Sequence, residues 1–255
     1  MNFRVFVIWM MSMLGLGFSS MANKGHYEDL YAKANYVYKA GNFDSAKVLY
    51  SEIIQNGMVS SELFFNLGNT FFKKGNIPEA ILYFERALRI APNDEDIQYN
   101  LNIANTYITD KITPLESIFF KEWWDSITYA FSVSTWAVLF ILLLAIASAL
   151  ITLYSISSHR KMKQLGLIGG AIVFGISLIV LLITNSAFHR LNKDQAIVFS
   201  PTVNVKSEPS INSTDQFVIH EGLKVEIIDA EGDWTRIRLS DGNSGWLQSQ
   251  SIERI

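Results

Sequence analysis

The spacing of hydrophobic positions changes twice along the chain. Between residues 27 and 94, apolar side chains recur at helical intervals, with Phe64, Leu67 and Phe71 on one stripe and Ala80, Phe84 and Leu88 on the next. That period predicts paired amphipathic helices, one over about 61–74 and one over about 78–90. Two continuous apolar runs follow, at 136–156 and 165–185, each of 21 residues without a charge. A helix needs about 20 apolar residues to cross a bilayer core, so each run is long enough to span. After Asp194 the runs shorten to Ala196–Phe199, Val203–Lys206, Phe217–Ile219, Leu223–Ile228, Trp234–Leu239 and Trp246-Leu247. They are punctuated by Ser207-Glu208-Pro209, Glu221-Gly222, Glu231-Gly232-Asp233 and Asp241-Gly242-Asn243. Short strands with turn signals between them predict a small all-β barrel.

The helical part is internally repeated. Gly75-Asn76-Ile77-Pro78-Glu79-Ala80 follows Gly41-Asn42-Phe43-Asp44-Ser45-Ala46 at an offset of 34, which also relates Ala34 to Gly68, Asn35 to Asn69, Val37 to Phe71 and Tyr50 to Phe84. The units are 27–60 and 61–94. Pro78 suits a first helical turn, where its missing N–H costs nothing, and Pro92 ends the second helix. Gly68 inside a helix costs about 1 kcal/mol relative to alanine. Its use is a close crossing with the next helix at Ala80, with Phe64, Leu67, Phe71, Phe84 and Leu88 filling the space beside it.

This spacing resembles the tetratricopeptide repeat, with Asn66-Leu67-Gly68, Phe71, Gly75, Ala80, Phe84, Ala87 and Pro92 at that family's signature positions. The first unit departs from the pattern at Lys33-Ala34 and Ile53. A third unit starts at Glu95–Tyr107, but Asn102 replaces the glycine and Pro114 falls where the next helix would run. The expected domain, 23–110, is therefore two repeats and a closing helix at 95–108, short for a stack that usually needs about three units. The resemblance implies a peptide-binding groove lined by the first helix of each unit, with Tyr31, Asn35, Tyr38, Phe65, Asn66, Asn69, Phe72 and Asn100 on or near it. The plainer reading of Phe65 and Phe72 is packing between units. Where some relatives clamp a carboxylate with lysines, this chain has Tyr31 and Asp96, so that specificity is not expected.

Charges orient the apolar runs. Met1–Arg4, an apolar stretch over 5–18 and Ser20-Met21-Ala22 read as a leader, 1–22, cleaved after Ala22; an uncleaved anchor is the alternative. The segment 157–164 carries Arg160, Lys161 and Lys163 and no acid, which places it in the cytoplasm and both flanking domains on the other side. Trp123, Trp124, Tyr129 and Trp136 make 111–135 an aromatic connector at headgroup level, or a plain packing link. Gly166/Gly170, Ala171/Gly175 and Ala145/Ala149 have the small-residue spacing that lets helix backbones approach; packing of the hairpin on itself is the economical use, and self-association is the other. Neither span contains an ionisable residue that could serve a transport path.

The tail, 190–255, resembles the bacterial SH3-like domain, on Val203–Ser210, Gly222-Leu223-Lys224-Val225, Gly232-Asp233-Trp234 and Gly245-Trp246-Leu247. Such domains accompany cell-wall enzymes, which makes peptidoglycan a candidate ligand and Trp234 and Trp246 candidate contacts, although tryptophan in a barrel this small commonly packs in the core or rim.

Composition removes chemistries rather than adding them. With no cysteine, disulfides, thiolate catalysis and cysteine metal sites are excluded. A net charge of −3 argues against a nucleic-acid surface. The four histidines lie in separate segments, and no catalytic residues, cofactor site or metal site is expected. The reading is a multidomain membrane protein: an all-α tetratricopeptide solenoid, a two-helix transmembrane hairpin and a small all-β SH3-like barrel. This order, with the double-tryptophan connector, resembles the BatE family of the aerotolerance operon in Bacteroides-type bacteria. The resemblance implies a non-enzymatic scaffold at the periplasmic face of the inner membrane. Its implied partners are von Willebrand factor A-type membrane proteins, a BatD-like protein and, indirectly, a MoxR-type ATPase. The alternative is a wall-binding or wall-sensing protein.

Overall fold

Gly41 and Gly75, 34 positions apart, both sit at φ +80 and close the same turn: each glycine N–H bonds three residues back, and the following asparagine N–H bonds five back. The sharp reversal folds each unit's two helices against each other. In the computed structural model, which describes residues 25–113, 119–191 and 193–255, the helices are α1 (25–39), α2 (Phe43–Gln55), α3 (Ser61–Lys73), α4 (Ile77–Ile90) and α5 (Glu95–Thr106). The expected leader, 1–22, and residues 114–118 of the connector lie outside the described residues. Asn42, Ser60 and Asp94 accept backbone N–H bonds at the starts of α2, α3 and α5, as N-caps do.

Gly68 supplies the crossing. A β-carbon there would stand 2.7 Å from the ring of Phe84 and 3.3 Å from the Ala80 carbonyl. Ala34, Ala46, Tyr50, Leu67, Ala80, Phe84 and Ala87 are all fully enclosed, so the first unit packs like the second despite its departures in sequence. Ile97, Leu101 and Ala104 extend this core into α5.

The helices α7 (Val133–Ile156) and α8 (Arg160–Leu191) pack as a hairpin. Both are long and apolar enough to cross a membrane, yet only 11% and 28% of their apolar stretches are buried. A core helix of a soluble domain would be mostly enclosed; here Ile141, Leu142, Ile146, Ile168, Ile172 and Leu182 face outward. The α8 helix runs about 1.5 Å per residue and starts at Arg160, so its basic residues occupy its first turn and only 157–159 separate the two helices. A β-carbon on Gly166 would lie 2.6 Å from the Leu150 carbonyl oxygen and 2.7 Å from the Tyr154 nitrogen. Gly170 faces Ile151 and Ala147. The other small pairs do not serve the hairpin: Ala145, Ala149 and Ala171 are exposed, and Gly175 has open space beside it.

Between the repeats and the hairpin, α6 (Phe119–Tyr129) lies against the end of α8. Trp124 Nε1 donates to Ser186 Oγ at 2.9 Å, while Trp124 and Ile127 pack with Trp136, Val180, Ile183 and Ala187. Trp123 stays 60% exposed. The connector thus both packs and presents an aromatic face. Asn93 Nδ2 donates to the Tyr129 carbonyl and ties the repeats to it.

After α8 come β1 (Gln195–Val198), β2 (Thr202–Lys206), β3 (Asp215–His220), β4 (Lys224–Glu231), β5 (Trp234–Arg238), β6 (Ser244–Gln248) and β7 (Ile252–Arg254). They form one antiparallel sheet in the order β3-β2-β6-β5-β4-β1-β7. Ala196, Val198, Val205, Ile219, Val225, Ile237 and Leu247 fill its core. The architecture is an all-α repeat domain, two long apolar helices and an SH3-like antiparallel domain. The short last strand, β7, was not expected from the sequence.

Candidate functional site

The amides expected to line the groove bond to one another. Asn66 Nδ2 donates to the Tyr31 hydroxyl at 2.8 Å and to Asn35 Oδ1 at 3.2 Å. Tyr50 donates its hydroxyl to the same Asn35 oxygen at 2.6 Å. One unit further, Asn100 Nδ2 donates to Asn69 Oδ1 at 2.9 Å. The two Asn–Asn links have the same separation of 31 residues and join first helices of successive units: α1 to α3, and α3 to α5. They form a ladder of amides along the stack.

The ladder fixes which way each amide points, since an amide's oxygen and nitrogen have different roles. Within the ladder Asn35 and Asn69 accept and Asn66 and Asn100 donate. The Nδ2 groups of Asn35 and Asn69 and the Oδ1 groups of Asn66 and Asn100 make none of these bonds. All four residues are half-buried. Asn35 also hydrogen-bonds the Tyr31 side chain, so the amide groups outside these bonds are Asn69 Nδ2 and the Oδ1 atoms of Asn66 and Asn100. Burial, with neighbouring Tyr31 and Tyr38, raises the Tyr50 pKa far above its ordinary value, so its hydroxyl stays a donor. Tyr31 is raised too, chiefly by burial, as is Tyr38.

The aromatic candidates divide. Phe65 lies 5.9 Å from Phe84 between ring centroids, Phe72 meets Tyr107 edge-on at 5.5 Å, and Tyr38 meets Phe43 at 5.4 Å. Each is half-buried, so each packs on one side and remains accessible on the other. At the N-terminal end of the stack, Tyr27, Tyr31, Ile53, Met58, Val59 and Leu63 line a mostly apolar cleft of about 320 Å³. Sequence reasoning singled out Tyr31 alone among these, because Met58 and Val59 lie in the turn between units where no helical period marks them.

In the SH3-like domain the two tryptophans have different surroundings. Trp246 is 9% exposed and sits in β6, flanked by the tightly placed Gly245 and by core Leu247. Trp234 is half-buried and lines a cleft of about 230 Å³ with Asn204, Lys206, Ile211 and Gln248. Of the two, Trp234 is the more exposed and lines a cleft. Among the described residues no cluster of histidine and carboxylate side chains is placed to hold a metal ion.

A model of the tetratricopeptide repeat matches residues 61–94 and a model of the bacterial SH3 domain matches residues 201–253. No curated protein matches the chain. Tetratricopeptide repeats are protein-interaction modules and bacterial SH3 domains are able to bind the cell wall; both are typically binding rather than catalytic modules. The repeat match coincides with α3 and α4, which carry Asn66, Asn69 and Gly68. The SH3 match includes both tryptophans.

Proposed function

We propose that this protein is a membrane-anchored, non-enzymatic scaffold whose repeat groove holds an extended segment of a protein partner. The amide ladder carries the reading. It orients Asn35, Asn66, Asn69 and Asn100 along one face of three helices and leaves the Asn69 amide N–H and the Asn66 and Asn100 oxygens outside its own bonds, the kind of groups an extended backbone requires. The exposed apolar faces of α7 and α8 support insertion in a bilayer. Arg160, Lys161 and Lys163, in the first turn of α8 next to the bend, favour a cytoplasmic bend with both domains outside. In this reading the site is the periplasmic face of an inner membrane, and the partners implied by the BatE resemblance, von Willebrand factor A-type proteins and a BatD-like protein, are the first to test; a MoxR-type ATPase would act across the membrane.

The test must keep the ladder intact, because alanine at these positions removes packing as well as recognition. Asn69→Asp preserves the accepting oxygen that Asn100 uses and replaces the amide N–H that the ladder does not use with charge. Co-purified partners should be lost from this variant while its melting temperature stays near that of the parent. Unchanged partner recovery would reject groove binding.

A second reading rests on the Trp234 cleft, whose aromatic wall and polar rim suit a peptidoglycan peptide. Retention of the full-length protein on purified sacculi, lost in Trp234→Ala, would favour it.

A further inference from the structure

Two and a half repeats leave a problem at the open end. Among the described residues the next helix after α5 is α6, which lies against α8, and no second helix of a third unit covers α5 or the outer side of α4. We propose that the SH3-like domain is the closing cap of the repeat stack, seated where the second helix of a third unit would lie.

The burial of β1 argues for it. Side chains alternate across a strand. Ala196 and Val198 belong to the core of the SH3-like domain, whereas Ile197 between them belongs to the core of the repeats. Ile197 points away from its own domain and is still 0% exposed; only the repeats bury it. Phe199 and Ile255 pack on the same repeat core, and Ile108, just after α5, touches both cores. Gly222, at φ +84, makes room for it: a β-carbon there would be 2.5 Å from Ile108 Cγ2.

Charged pairs ring this apolar centre. Lys224 Nζ is 2.6 Å from Glu85 Oε2, and Arg86 is 3.1 Å from Glu253. Asp110 accepts from the His220 backbone N–H at 2.6 Å and contacts His220 Nδ1 at 2.9 Å. Arg86 and Arg89 donate to the carbonyls of Arg254 and Ile255, so α4 covers the edge strand β7, which would otherwise be open to pairing with another chain. Since α7 and α8 lie between the two domains in sequence, this contact requires both to be on one side of any membrane the hairpin crosses. The inference is independent of what the groove binds.

Carbodiimide treatment of the full-length protein in detergent should join Glu85 to Lys224, with the Asp44–Lys74 ion pair inside the repeats as reference. Hydrogen exchange then reads the cap. In Ile197→Asp, exchange in α4 and α5 should rise about tenfold or more through local opening, with β4–β6 unchanged. Lys224→Glu should loosen the same helices, and adding Glu85→Lys should restore them, which separates lost docking from failed folding. No Glu85–Lys224 link while the reference link forms, or unaltered exchange of α4 and α5 in the variants, would overturn the proposal.

Discussion

Gly68 lies beneath the ring of Phe84, with no room between them for a β-carbon: one built on Gly68 would come within 2.7 Å of Cδ1 and Cε1. Phe84 is fully enclosed, so its ring has nowhere to go. Gly68→Val should destabilise the repeats by about 3 kcal/mol, the scale of overpacking in a dense core, despite the better helix propensity of valine. Thermal unfolding of the full-length protein in detergent, followed by helical circular dichroism, checks this. Gly175→Val, with open space beside it, is the control for the substitution itself.

The hairpin depends on a different glycine. Leu150 O and Tyr154 N face Gly166 as backbone atoms and cannot rotate away as a side chain could. Gly166→Leu should cost roughly 1–3 kcal/mol and separate α7 from α8, whereas Gly175→Leu should not. A cysteine pair at 147 and 170, in a chain that has no native cysteine, reads the separation: oxidation should form the disulfide in the Gly175 variant and fail in the Gly166 variant.

Trp246 and Trp234 should part company on substitution. Truncating the buried ring, Trp246→Ala, should destabilise the SH3-like domain by roughly 3–5 kcal/mol. Trp234→Ala, at a half-buried position on the cleft, should cost about 1 kcal/mol or less. Denaturant titrations of the two full-length variants, followed by Trp fluorescence, distinguish them; equal losses would contradict the different burial of the two rings.

Alkaline pH should loosen the repeats through Tyr50. In the unfolded chain a tyrosine releases its proton near about pH 10, but the folded protein holds the Tyr50 proton well above that. Above about pH 10 the unfolded state therefore binds fewer protons than the folded one, and stability falls as pH rises. Below that range the stabilisation is fully present. Tyr50→Phe should flatten the alkaline limb of a stability–pH curve, while losing the bond to Asn35 at every pH.

Local signals made most of the architecture legible in the sequence. The repeat showed because Gly41 and Gly75 need the same left-handed turn, and the apolar helices because their composition leaves no polar face. Contacts between distant residues were not legible. Glu85 and Lys224 are 139 residues apart and Asp110 and His220 are 110 apart; nothing in either neighbourhood marks them as partners. Family geometry put the asparagines on one face, but their mutual bonds were not foreseen, because one repeat separates each pair. Ala145/Ala149 had the same spacing as Gly166/Gly170 and yet faces outward: spacing defines a stripe on a helix, and only the neighbouring helix decides which stripe is used. Strand β7 went unseen because Ile252-Glu253-Arg254 has a single apolar residue and pairs with β1, far back in the chain.

The central claim is that groove and SH3-like domain stand together outside the cytoplasm, held by a hairpin whose basic bend is inside. Single cysteines at Gln55, Ser158 and Ser240, all exposed, test it most directly, using a membrane-impermeant maleimide on intact spheroplasts. Gln55→Cys and Ser240→Cys should label at once, and Ser158→Cys only after permeabilisation. Labelling of Ser158→Cys in intact spheroplasts, or of only one of the other two, would contradict it.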